Sequence, residues 1–418
     1  MTVQAVGAVA QDVVAGLLGA GFNGGIWLPG TAEYDVQRRS VIPTVDSRPL
    51  VVAEACGRTD VQAAVRTARE YGVPIAVQAT GHGTRVPADG GILLKTTSMS
   101  SVLVDPERRI AKVGPGARWG AVLDAAGQFG LAPLSGSHRD VGVTGYTLGG
   151  GVGWLARKYG FAADSVIRAE LVTADGRLIT ASAEQHPDLF WAIRGGTGNF
   201  GIVTSLEFRL YPVRQVHAGI VYFGNDHAAA ILRRYRDWTA TIPNELSTAV
   251  VLTKDDGVAI KVMYAGPADV AEHLLKSLFE VAGPRLAGEL RTIEYGDAAM
   301  GGTPARHLDF LDEDELTDHL IATLTKQDAT VEIRHWGGAM AHPGPGAGPV
   351  GHRGASYSLI VDQEQPHLPS SGRTFVNFLA NPAQAETAYA ADDLRRLREV
   401  KRAYDPTNLF HLNANIKP

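Results

Sequence analysis

The chain has 418 residues, 45% of them hydrophobic and 20% charged, with a formal net charge of −5. That length supplies two or more domains with sizeable cores, and the mild acidity excludes a dominant basic face for nucleic acid or an anionic membrane. The single cysteine, Cys56, excludes an intramolecular disulfide and a cysteine-based metal cluster; beside a strand-like run it is expected to be a buried thiol.

In chain order, residues 1–30 are apolar but lack a basic leading segment, and Asp12 interrupts them, so a signal peptide is not expected. No stretch approaches about eighteen uninterrupted apolar residues, which leaves no membrane span. A cytoplasmic enzyme, monomeric or homodimeric, is the expected class. A strand is expected at 49–55, then a helix opened by Thr59 and Asp60, with Val61, Ala64, Val65 and Ala68 at helical spacing. A strand at 75–79 runs into the loop Gly81-His82-Gly83-Thr84. Residues 101–113 read as a hairpin around Asp105-Pro106, followed by Gly114-Pro115-Gly116 and a helix near 118–127. Another hairpin, 169–182, turns at Asp175-Gly176; a short helix begins at His186-Pro187-Asp188, and 201–213 alternates as a strand.

Beyond Pro212, helices at about 226–241, 267–282 and 312–326 alternate with strands at 247–253, 258–264, 290–295, 330–336 and 356–361. This predicts an α+β unit, one antiparallel sheet with helices on one side. Residues 338–354, rich in Gly and Pro, form a long loop of the kind that often lines pockets. The tail 386–404 is helical, with the basic run from Arg395 to Arg402 on a solvated face.

Gly196-Thr197-Gly198-Asn199-Phe200-Gly201 satisfies G-x-G-x-x-G, but a dinucleotide turn follows a strand and opens a helix. Here a helix precedes and a strand follows, so a Rossmann nicotinamide site is rejected. P-loop, zinc-protease and nucleophile-elbow motifs are absent, and no metal site is expected. What survives is a set of glycine turns between Gly81 and Gly201. Two readings stand: backbone N–H groups cradling the phosphates of an elongated cofactor, or close helix–strand packing. His82 is correspondingly either an ordinary loop histidine or a chemical anchor.

The ordered segments Gly81-His82, Gly90-Gly91-Ile92, Gly114-Pro115-Gly116-Ala117, Val141 through Trp154, Lys158-Tyr159-Gly160, Asp188 through Gly196 and Gly198 through Thr204 carry a resemblance. With Phe375-Val376-Asn377-Phe378, Tyr404 through Phe410 and Asn413-Ala414-Asn415-Ile416, they span nearly the full length. The chain resembles the vanillyl-alcohol oxidase/p-cresol methylhydroxylase flavoproteins, in particular the berberine bridge enzyme-like branch. The resemblance implies an α+β, two-domain flavoprotein. Its parts would be an FAD-binding domain over 1–213 (core about 46–213), a substrate domain over 214–374 with an antiparallel sheet covered by helices, and a segment 375–418 returning to the FAD domain.

The resemblance further implies that His82 attaches its imidazole to the 8α-methyl of FAD, which needs a neutral ring nitrogen as nucleophile. Thr80 stands where the family usually has glycine, and a β-branched residue resists a positive φ. The implied cradle comprises Thr80, Gly81, Gly83, Thr84, Gly116, His138, Val141, Gly142, Thr144, Gly145, Gly149, Gly150, Gly151, Gly153, Gly201, Ile202 and Val203. Asn377, Asn413 and Asn415 would lie near the ring. Many members add a cysteinyl bond where this chain has His138, so the pattern resembles the singly attached members. His138 is then either a polar contact or base at the flavin, or simply fills the cysteine's space. Val141, a small residue, implies access for O2 and hence an oxidase releasing hydrogen peroxide from a small-molecule alcohol or amine; a dehydrogenase with another acceptor and a non-catalytic flavoprotein are the alternatives. Glu332, Arg334, His335 and Tyr357 are the implied catalytic candidates. Alternation places Glu332, Arg334 and Trp336 on one strand face and Val331, Ile333 and His335 on the other. Glu332 and Arg334 are either pocket groups or a pair that satisfies itself.

Overall fold

The computed structural model describes residues 3–253, 257–364 and 366–418. Three sheets organise them. The first has the strand order Gly25–Trp27, Val51–Glu54, Ile92–Lys95, Ile75–Gln78, and the last three strands run parallel. Their apolar runs suit a sheet covered on both faces. The helix Arg58–Glu70 packs Val61, Ala64, Val65 and Ala68 into this core. Its Asp60 carboxylate accepts from the backbone N–H of Cys56 at 2.8 Å, of Gly57 at 3.1 Å and of Asn23 at 2.8 Å. That turn lifts Cys56 out of the strand, so the thiol is exposed and not buried as expected.

The second sheet is antiparallel, ordered Val102–Asp105, Ile110–Val113, Ile202–Arg209, Val166–Val172, Leu178–Ser182. The third is a seven-stranded antiparallel sheet: Ala287–Glu294, Gln215–Phe223, Gly257–Tyr264, Leu246–Thr253, Val331–His335, Tyr357–Val361, His307–Leu311. Helices Ala228–Thr239, Ala268–Ala282 and Asp318–Leu324 cover one face, sharing a core with Val331, Ile333 and Tyr357. The opposite face carries Glu332 and Arg334 toward the glycine turns. Two strands of this sheet escaped the sequence reading, as did Gly25–Trp27 and Ile92–Lys95 of the first. Gln215–Phe223 contains His217 and Gly219, and His307–Leu311 has a buried Asp309, so neither shows simple alternation.

Two further expectations are corrected. Lys401 does not belong to a solvated face: it is fully buried on the helix Ala391–Tyr404. It donates to Asp405 at 2.7 Å and to the carbonyls of Asn199 and Phe410 at 2.8 and 3.1 Å. Loop 338–354 contributes nothing to the large cavity described below. It is a clamp, in which Arg353 holds both oxygens of Asp164 at 2.7 and 2.9 Å. No helix among the described residues is long and apolar enough to cross a membrane.

Candidate active site

Where the open face of the seven-stranded sheet meets the glycine turns lies a cavity of about 520 Å³. Thr80, Gly81, His82, Gly83 and Thr84 line it, following directly from the strand Ile75–Gln78. The positive φ in this loop, +81°, falls on Gly81 and not on Thr80. The expected conflict therefore does not arise. Thr80 instead places its hydroxyl 3.0 Å from His82 Nδ1. Burial, then the neighbouring His138 and Arg118, push the His82 pKa below its ordinary value, which favours the neutral imidazole. The His138 ring lies 6.1 Å from it, with Nδ1 accepting from the Asp140 N–H at 3.2 Å.

Val141, Gly142, Gly145 and Gly149 continue the wall. The helix Val143–Leu148 is fixed from the C-terminal segment by Asn377, which donates to the Tyr146 carbonyl at 3.0 Å and accepts from the Gly151 N–H at 2.9 Å. Asn377 and Asn413 line the same cavity. Thr144, Gly150, Gly151, Gly153 and Asn415 do not line it, nor do Gly116, Gly201, Ile202 and Val203. Some glycines thus answer the second reading, close packing. A Cβ on Gly153 would sit 2.0 Å from the Ser135 carbonyl oxygen, and one on Gly116 2.1 Å from that of Thr96. Ile202 and Val203 are core residues of their strand.

On the sheet side, Glu332 and Arg334 both reach the cavity. Glu332 is fully buried and accepts from Lys261 at 3.0 Å, from Arg334 at 2.8 Å, and from the hydroxyl and N–H of Thr303 at 3.0 and 3.3 Å. Burial alone would raise its pKa, but the two cations and these hydrogen bonds overcome it and hold the carboxyl down to about 2. The cross-strand register explains the cluster. Ala249 pairs with both Lys261 and Arg334, and this small residue between them lets the lysine reach across. Lys261 and Thr303 escaped the sequence reading; the available signal was a lone lysine in the apolar strand Gly257–Tyr264.

His335 and Tyr357 are not brought to the cavity. Alternation turns both to the helix-covered side, where His335 Nε2 lies 3.1 Å from the Arg157 guanidinium and the Tyr357 hydroxyl 2.5 Å from that of Thr239. Along the cavity and behind it, the Tyr146 and Thr144 hydroxyls and the Asn413 and Asn415 side-chain oxygens are buried without a partner among the described residues. Such atoms suit a ligand rich in donors and acceptors, and the half-exposed Val77 beside His82 offers it an apolar surface.

Residues 49–182 match the FAD binding domain family, and 374–417 match the family described as berberine and berberine like. The (R)-6-hydroxynicotine oxidase of Paenarthrobacter nicotinovorans is 30% identical over 424 residues, covering 89% of this chain and 92% of the relative. The xylooligosaccharide oxidase of Thermothelomyces thermophilus is 26% identical over 443 residues, covering 88% and 87%. Among solved structures, 6-hydroxy-D-nicotine oxidase from Arthrobacter nicotinovorans superposes with a TM-score of 0.84 at 24% identity, over 96% of this chain and 99% of that one. A chitooligosaccharide oxidase gives 0.84 at 22%, over 97% and 99%. The fold is thus the two-domain flavoprotein architecture expected from the sequence, and the chain belongs to the berberine bridge enzyme-like FAD-linked oxidoreductases.

Proposed function

We propose that the protein is an oxidase that carries FAD covalently on His82 and acts on an alcohol or amine group of a small molecule. The observation that carries this reading is the imidazole lining the cavity. Its neutral form is favoured, and it is held by Thr80 and set in a glycine turn that allows close approach. A hydroxyl accepting from Nδ1–H leaves Nε2 with its lone pair, the form required of a nucleophile. Bound FAD supplies a two-electron acceptor for hydride from the C–H beside the alcohol or amine, and O2 takes the electrons as hydrogen peroxide.

The remaining roles fall to side chains of the two walls. Gly142, Gly145 and Gly149 leave room for the cofactor, with Tyr146 and Asn413 as its polar contacts. Val141 keeps the approach of O2 open. Glu332 is a poor proton acceptor, because a carboxylate held near a pKa of about 2 by Lys261, Arg334 and Thr303 has little basicity left. His138 lines the cavity, and because its Nδ1 accepts from the Asp140 N–H, Nε2 carries the ring proton and offers the substrate's hydroxyl or amine a hydrogen-bond donor. The named relatives, oxidases of 6-hydroxynicotine and of xylooligosaccharide, support a small hydroxylated substrate.

The test is peroxide release across a panel of alcohols, amines, hydroxylated N-heterocycles and oligosaccharides. Peroxide equimolar with substrate consumed is expected for at least one compound. Reduction of an artificial dye without peroxide would contradict the oxidase assignment.

A further inference from the structure

The charge cluster on the sheet side of the cavity does not balance. Lys261 and Arg334 contribute two positive charges and Glu332 one negative, with side chains 9%, 9% and 0% exposed. Among the described residues Glu332 is the only carboxylate lining the cavity, and Arg85 adds a further cation. Buried ions without a counter-charge are costly, so a net positive cluster facing a cavity is a standing demand for an anion.

Arg334 is the member that remains open. Its sole acceptor among the described residues is Glu332, and its Nε is buried with no partner. The guanidinium lies over the Trp154 ring, 4.6 Å from the centroid, which fixes its plane. A planar fork held by an aromatic face and one carboxylate, with donors left over, matches the two oxygens of a carboxylate. By contrast, Lys261 lies behind the wall and serves Glu332.

We propose that Arg334 binds a carboxylate of the substrate, so that the molecule oxidised is a small organic acid bearing the alcohol or amine. The class of compound rests on the oxidase reading, whereas the anion site does not. Binding of para-fluorobenzoate and of para-fluorobenzamide to the purified full chain, followed by fluorine NMR, tests it. This signal is read whether or not flavin is present, and the flavin spectrum of the same sample reports on the oxidase proposal separately. The benzoate is expected to bind at least about tenfold more tightly than the neutral amide, the scale of one charged hydrogen-bonded contact. Arg334→Met is expected to erase the preference and Arg334→Lys to keep most of it. Equal affinities in the wild type, or a preference that survives Arg334→Met, would overturn the proposal. Loss of sulfite addition to the flavin in Arg334→Met with benzoate binding intact would also overturn it, assigning the charge to the cofactor. The wild-type comparison and the lysine variant stand even if the methionine variant does not fold.

Discussion

Among the described residues, two buried charge clusters are built differently. Lys401 and Asp405 form a closed one. The ammonium has three acceptors, and the carboxylate also receives the N–H groups of Leu409 and Phe410 at 2.8 and 3.0 Å. It is neutral, 0% exposed, and ties the terminal helix to the turn at Asn199. The cluster of Lys261, Glu332 and Arg334 is open: it carries a net positive charge, leaves Arg334 Nε unpaired and borders the large cavity. The difference separates a device that holds the chain from one that awaits a ligand. Burial is common to both; net charge and satisfaction distinguish them.

The contrast is most sharply broken by removing one member of each. Lys401→Ala leaves Asp405 buried and uncompensated, and is expected to cost about 3–5 kcal/mol in denaturant unfolding. Arg334→Met leaves Lys261 and Glu332 as a neutral pair still bonded to Thr303. Its expected cost is about 1–2 kcal/mol, one charged hydrogen bond and a cation–π contact. Equal losses would mean that the open cluster is structural after all.

Acid sharpens the comparison further. Burial, with Arg157 beside it, holds the His335 pKa well below the ordinary value of 6.5, and burial also lowers His307 and His352. Below pH 6.5 the unfolded chain therefore binds more protons, and stability falls as pH drops toward the folded pKa values. Glu332, depressed from 4.5 to about 2, adds stability that is present above pH 4.5 and lost on descending through pH 2. Thermal unfolding is expected to weaken first below about pH 6.5 and again below about pH 4.5. In Glu332→Gln the second step should shrink. The smallest effect concerns the other wall. Thr80→Val removes the hydroxyl beside His82 Nδ1 and is expected to slow flavin incorporation about fivefold, the worth of a hydrogen bond near 1 kcal/mol.

The glycine wall was the more legible of the two in the sequence. A turn such as Gly81-His82-Gly83 is dictated locally, by a backbone that takes positive φ and must approach closely. Which glycines face the cavity was not legible, because Gly153 and Gly116 meet carbonyls from distant segments. On the sheet wall, period-two alternation placed Glu332 and Arg334 on the face opposite Val331 and Ile333, and their strand lies that way. Lys261 joins them only through the register of three strands, and Thr303 through a loop. His335 and Tyr357 sit in the family-like segments, but alternation sends them to the helices. The sequence resemblance alone could not separate them from the cavity residues.

The most direct test of the central claim is the intact mass of the acid-denatured protein, wild type against His82→Ala. One flavin adenine dinucleotide is expected to stay on the wild type and none on the variant. A wild-type chain without bound flavin mass, or a variant that retains it, would contradict His82 as the tether.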